Sequence, residues 1–329
     1  MIKWRSQSDQ ETYNKLLIPV IRDRPTSVFV GAGLSVHAGY PLLYELINLL
    51  EAKAVDRNSK IVVSGDWKNK AQICQDELGN DYFQILIDRF NPDNNRSRFT
   101  SIHANLIQIR FQSFITTNYD SCIELAFRDL GINKVPIVYP NLMVSKLNNK
   151  SIQHIHGYID PNDPHSSVGS VILTTRDFME AYSDKLGSVK DFLVKLFSEQ
   201  NVIFFGFNVS AKDDLWFKIL ESVKEIRGQR QRNASSRHLP PEPERIYLAI
   251  LENRVEMTED IYKDRGQEIT KEIAEEMVRN QDDILRDMGV YPIRYNSDEF
   301  HKSVENIIVD MRILTRTLQP QGSEAGDLP

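Results

Sequence analysis

The chain has 329 residues, of which 41% are hydrophobic and 26% charged, with 40 Lys plus Arg against 46 Asp plus Glu for a formal net charge of −6. This is the make-up of a soluble globular protein long enough to bury a sizeable core, and its acidic balance argues against a general electrostatic hold on nucleic acid or an anionic membrane. Two cysteines, Cys74 and Cys122, exclude a disulfide framework and a four-cysteine zinc site, and the lack of a signal-like or membrane-length apolar run points to a cytoplasmic chain.

In chain order, TSVFV (26–30) reads as a strand buried on both faces, running straight into Gly31-Ala32-Gly33. From Pro41, which suits a first helical turn, Leu42, Leu43, Leu46, Ile47 and Leu50 follow helical spacing. Residues 67–90 read as one or two more helices ending near Pro92, so about 42–110 is expected as a helical insertion. SFITT (113–117) is a strand candidate leading into Asn118-Tyr119-Asp120. KVPIVYP (134–140) and SIQHIHGYID (151–160) read as short extended segments. After SVILTT (170–175), a threonine is placed to cap the helix RDFMEAY. Ser188 heads an amphipathic helix with Val189, Phe192, Leu193, Leu196 and Phe197 on one face, followed by the buried strand NVIFFGF (201–207). A helix with Leu215, Trp216, Ile219, Leu220 and Val223 precedes the strand RIYLAIL (245–251). YPIRY (291–295) reads as the last strand before a final helix with Phe300, Val304, Ile307, Ile308 and Met311.

Alternating strands and helices predict an α/β, Rossmann-like doubly wound and mostly parallel sheet, with helical insertions and a C-terminal helical element. The expected organisation is one domain over 15–300, with a mobile loop at 228–244 and an appended helical element at 256–288. A C-terminal helix at 301–315 and a disordered tail at 316–329 follow.

Three places carry chemistry. In a doubly wound sheet ligands bind at the carboxyl ends of the strands, and the glycines of GAGLS (31–35) would let a pyrophosphate reach backbone N–H groups, with Ser35 as a further donor. Val36 stands where the usual dinucleotide fingerprint has its third glycine, so a plain tight turn is the alternative. TTNYD (116–120) projects Asn118 and Asp120 from a strand end, the alternative being that Asp120 caps the helix SCIELAF. In HIHGYID (154–160) a period of two puts His154 and His156 on one face, but no Cys, Asp or Glu cluster joins them at metal-ligand spacing. His156, before a glycine, is the better candidate for acid–base work.

In this order, GAGLS, TTNYD, a His-Gly pair and the glycine-ended strand FFGFN resemble the sirtuin family. The resemblance implies that Gly31, Ala32, Gly33 and Ser35 form the NAD phosphate loop. It makes Asn118 the catalytic asparagine beside the nicotinamide ribose, Asp120 the reader of the carboxamide and His156 the catalytic histidine. Gly206 and Asn208 would border the adenosine part. Protein-deacetylating sirtuins usually carry Thr-Gln-Asn-Ile-Asp, Ala-Gly-Ile-Pro-Asp-Phe-Arg and a four-cysteine zinc ribbon. This chain has Thr117 in place of the glutamine, AGYPLLYEL, and only two cysteines. It is thus similar to the bacterial sirtuin-like branch of antiphage defence. That branch implies an NAD glycohydrolase, with NAD as substrate, no metal, no direct contact with nucleic acid or membrane, and control by a homo-oligomer or a partner such as a HerA-type ATPase. An NAD-dependent protein deacylase and a non-catalytic sensor of NAD or ADP-ribose are the alternatives.

Overall fold

The computed structural model describes the chain except residues 1, 92–98, 186–187, 207–213, 237–243, 254, 256–268, 297–299 and 317–329. Among the described residues the strands are β1 (Thr26–Val30), β2 (Ser113–Thr116), β3 (Ile137–Val138), β4 (Ser151–His154), β5 (Asn201–Phe205), β6 (Tyr247–Glu252) and β7 (Val290–Tyr295). They form one sheet in the order β3-β4-β2-β1-β5-β6-β7, and every strand pairing is parallel. The expected doubly wound α/β sheet is therefore what the chain builds.

All five residues of β1 are buried, which suits a run of β-branched and aromatic residues in a central strand. Val28 lies opposite Phe114 of β2 on one side and Ile203 of β5 on the other. The chain builds the β2-β4-β3 half first and then returns to lay β5 on the opposite flank of β1. The strand order reverses between β1 and β5, and that reversal opens the crevice in which such sheets take ligands.

Alternate residues feed two cores. Val28, Phe114, Ile203 and Leu248 join a core with Val304, Ile307 and Ile308 of the helix Phe300–Arg316. Phe29, Ile115 and Phe204 face the other way, onto Phe192, Leu196 and Phe197 of the helix Val189–Glu199 and Trp216 and Ile219 of the helix Asp214–Ser236. Burying each such side chain contributes about 1.5–3 kcal/mol. A third core unites the helices Leu43–Arg57, Trp67–Leu78 and Asn80–Phe90 with Ala38, Tyr40, Tyr119 and Ile159. These three helices thus pack directly on the loops that leave β1 and β2.

Several local expectations shift. Pro41 lies ahead of its helix, whose N-cap is Leu42. Gly79, at φ +58°, divides residues 67–90 into two helices. β4 stops at His154, and no strand forms at 171–174, where Thr174 accepts a hydrogen bond from the Asp177 N–H and caps the helix Thr175–Ala181. The helix Asp214–Ser236 takes in residues 228–236 of the expected loop, because the prolines begin only at Pro240 while Arg and Gln favour helix before them. Residues 237–243, 256–268 and 317–329, on which parts of the expected loop, helical element and tail fall, lie outside the described residues.

Candidate functional site

The glycine turn closes onto β5. Gly31 N–H donates to Phe205 O at 3.0 Å and Gly33 N–H to Gly206 O at 2.9 Å. Gly206 sits at φ +64°, and a Cβ there would lie 2.7 Å from Leu34 Cγ. A Cβ on Gly33 would lie 2.9 Å from Gly206 O. Three of the anticipated residues, Gly31, Gly33 and Gly206, therefore come together at the switch point as a tight turn, with two N–H groups already used inside the fold. Ala32 opens the one-turn helix Ala32–Ser35, and Asn208 lies outside the described residues.

Asn118 meets this turn from β2. Its side-chain amide donates to Ser35 Oγ at 3.0 Å, and Ser35 is itself buried. Its main-chain N–H donates to Thr116 Oγ1 at 2.9 Å, and that hydroxyl donates to Val30 O at 2.9 Å. Asn118 is 9% exposed, and its Oδ1 has no hydrogen-bond partner. Ser121 Oγ and His103 Nε2 are likewise buried without partners. Buried polar atoms are ordinarily paired, so the free Oδ1 of Asn118, whose amide nitrogen bonds the serine of the glycine turn, is placed to meet water or a polar ligand.

Asp120 accepts the Cys122 N–H at 3.0 Å through Oδ1, so it holds the start of the helix Cys122–Asp129. The N-cap itself is Ser121, which makes no side-chain cap bond, so Asp120 supports the helix start from one residue ahead of the cap. Burial pushes the Cys122 thiol well up, with the Asp120 charge adding to it. His103, on the helix Ser101–Leu106, is pulled down to about 4 by burial against the opposing charge of Asp120.

The two histidines part company. His154 Nδ1 lies 2.9 Å from Asn118 O and Nε2 lies 2.8 Å from Glu124 Oε1, with His154 and Glu124 only 1% and 5% exposed. Burial lowers its pKa, but the Glu124 carboxylate, the Asn118 carbonyl and Asp120 outweigh that, leaving it above the ordinary imidazole value. His156 Nε2 lies 2.6 Å from Tyr182 Oη, with the Phe178 ring 5.1 Å away edge-on. Burial, helped by the charge of Lys68, pulls His156 down to about 3. The shared face expected for the two rings is not found, because strand alternation ends at His154 and the chain turns through Gly157 at φ +88°. A Cβ on Gly157 would lie 2.2 Å from Ser170 O, so the segment from Ser170 to Tyr182 presses against the backbone beside His156.

Thr116, Glu124, Phe178 and Tyr182 were absent from the sequence expectations. Glu124 carried a signal, as the lone charge within the apolar run CIELAF, whereas nothing local marks Tyr182 as a partner of His156. Among the described residues, no group of three His, Cys, Asp or Glu side chains could hold a metal ion, and no helix is long and apolar enough to cross a membrane.

Residues 112–270 match the family model described as SIR2-like domain, a span that takes in Asn118, Asp120 and His156 but not the glycine turn. The chain is 28% identical over 229 residues to an NAD(+) hydrolase ThsA of Enterococcus faecium, covering 68% of this chain and 45% of that protein. It is 25% identical over 234 residues to an NAD(+) hydrolase ThsA of Cytobacillus dafuensis, covering 69% and 43%. The chain thus spans less than half the length of these curated relatives. Among solved structures, a mutant Sir2 homologue in complex with ADP-ribose aligns over 91% of this chain and 95% of that one, at 10% identity and a TM-score of 0.43. Residues 112–270 are thus similar to the SIR2-like domain family.

Proposed function

We propose that this chain hydrolyses NAD to nicotinamide and ADP-ribose as a defence effector that depletes NAD on phage infection. The observation that carries the reading is the unpartnered, nine-tenths-buried Asn118 Oδ1 at the switch-point crevice. The printed activity of the ThsA relatives supports the same substrate.

The nicotinamide of NAD is already cationic, so it departs as a neutral molecule without being protonated. The ribosyl fragment becomes oxocarbenium-like, as in glycoside hydrolysis. The site must therefore position the ribose, shield a growing positive charge and aim a water. Asn118 Oδ1, an acceptor, suits a water or ribose hydroxyl and places partial negative charge by the reacting carbon. His156, held neutral, is too weak a base to carry the reaction by proton abstraction. Its part is a hydrogen bond to a ribose hydroxyl through Nδ1, the nitrogen not committed to Tyr182. Water adds to the ribose carbon and its proton passes to solvent. We assign Asp120 and the turn around Gly31, Ala32, Gly33, Ser35 and Gly206 the NAD contacts that the family resemblance implies. We assign the trigger to assembly with a second copy or with a partner protein such as a HerA-type ATPase.

The test is incubation of purified protein with NAD and chromatography for nicotinamide and ADP-ribose, alongside Asn118→Ala and His156→Ala. Wild-type product and a loss of about 10²–10⁴-fold in the variants is the expected result. Unchanged rates in both variants overturn the assignment. Turnover that requires an acyl-lysine peptide would make the chain a deacylase. Binding of NAD without turnover under any addition would make it a sensor.

A further inference from the structure

We propose that Glu124 and His154 form a buried positioning dyad that sets the main chain of Asn118, so that breaking it lowers turnover while leaving NAD binding in place. The proposal deepens the hydrolase reading above and rests on it. Neither residue needs to touch the substrate.

The geometry makes the dyad the last link of a closed set of restraints. Asn118 N–H is tied to Thr116 Oγ1, its amide nitrogen to Ser35 Oγ and its carbonyl to His154 Nδ1. Only Oδ1 is left over. His154 occupies the end of β4 in register with Thr116 of β2, so its ring reaches across to the turn that carries Asn118. Glu124, on the helix Cys122–Asp129, whose first N–H Asp120 accepts, fixes the far side of that ring. The dyad therefore braces both ends of the segment from Asn118 to Glu124.

The chemistry of the partners sets the protonation state. A backbone carbonyl only accepts, and an ionised carboxylate only accepts, so a ring bonded to both donates from both nitrogens as an imidazolium. The charged groups facing His154 are Glu124 and Asp120, and the Tyr158 ring lies 4.6 Å from it. Asp160 and Arg128 in turn act on Tyr158, whose phenol is pushed up by burial first and by Glu124 next. A buried pair of this kind does little for net stability against an apolar replacement, yet losing one member leaves an uncompensated charge. Its gain is orientation: a displacement of about 1 Å at a reacting group costs about 10²-fold in rate.

Glu124→Gln keeps the size and one hydrogen bond but removes the charge. In the full-length protein its kcat for NAD should fall by about 10²-fold. Its affinity for ADP-ribose by calorimetry should stay at the wild-type value. Wild-type kcat should decline at alkaline pH as His154 loses its second proton, and that limb should move to lower pH in Glu124→Gln. Histidine-labelled ¹⁵N spectra should show both His154 nitrogens protonated at neutral pH in the wild type and one in the variant. Wild-type kcat and pH profile in Glu124→Gln overturn the proposal. Parallel loss of kcat, affinity and melting temperature with an unmoved alkaline limb also overturns it, since that describes a purely structural pair. Should the wild type release no nicotinamide, the hydrolase reading falls instead. The spectra then decide the dyad: a singly protonated wild-type His154 overturns it, and a doubly protonated one that becomes neutral in Glu124→Gln upholds it.

Discussion

His154 and His156 stand two residues apart, yet they belong to opposite environments. The first is enclosed by a carboxylate and a carbonyl and is driven toward the charged form. The second lies against Phe178 and Tyr182, near the Lys68 ammonium, and is driven toward the neutral form. Identical side chains are thus driven toward opposite protonation states because the walls around them come from different parts of the chain. One wall is the turn and helix after β2. The other is the segment from Ser170 to Tyr182. A histidine's chemistry is a property of its surroundings, and the contact that separates these two environments is the backbone packing at Gly157.

The largest effect is therefore expected at that packing. Gly157→Ala would put a Cβ 2.2 Å from Ser170 O and 2.8 Å from Val171 Cα in a backbone at φ +88°. The left-handed conformation alone costs about 1–3 kcal/mol, and the clash adds to it. Poor soluble yield or a sharply lowered melting temperature should result, and a wild-type melting curve would show that the segment is not pinned there.

Next in size is the contrast between the histidines themselves. His154→Ala leaves the Glu124 charge buried and unpaired, an expected loss of about 3–5 kcal/mol in urea unfolding. His156→Ala removes a neutral ring and one hydrogen bond, with an expected loss of about 1–3 kcal/mol. The reverse ranking would refute the assignment of the ion pair.

Acidity sharpens the same contrast. His156, at about 3, and His103, at about 4, are lowered in the fold, so the unfolded chain binds the extra protons. Their stability is present above the ordinary imidazole value and is lost as pH falls through it toward the folded values. Each adds a slope of at most about 1.4 kcal/mol per pH unit. His154 is raised, so its contribution is full below the ordinary value and is lost as pH rises through the folded one. Urea unfolding of His156→Gln across the acid range should give a shallower slope than the wild type, and equal slopes would place that proton uptake elsewhere.

The strands of the sheet were legible because central parallel strands are unbroken apolar runs, as in TSVFV and NVIFF. The motif residues were legible as well, since Gly31, Gly33, Ser35 and Asn118 meet where the strand order reverses. What the sequence left hidden was the partner of each histidine. Tyr182 reaches His156 across 26 positions and Glu124 reaches His154 across 30. The period-two argument for the histidines failed because it assumed a strand that stops at His154.

The smallest predicted effect tests the Tyr182 contact. The phenol oxygen lies 2.6 Å from His156 Nε2, and with the hydroxyl as donor the imidazole proton resides on Nδ1, the tautomer that the proposed ribose contact needs. Tyr182→Phe keeps the stacking on Phe178, whose ring lies 5.4 Å away and nearly parallel, and removes only the hydroxyl. Stability should fall by about 0.5–1.5 kcal/mol, the net worth of one such hydrogen bond. The rate of NAD hydrolysis should fall modestly and short of the His156→Ala loss, because the proton becomes free to shift to Nε2 and leave Nδ1 an acceptor. A variant that matches wild type in both unfolding and rate would mean that the aromatic wall alone, without the phenol, holds His156 in its neutral form.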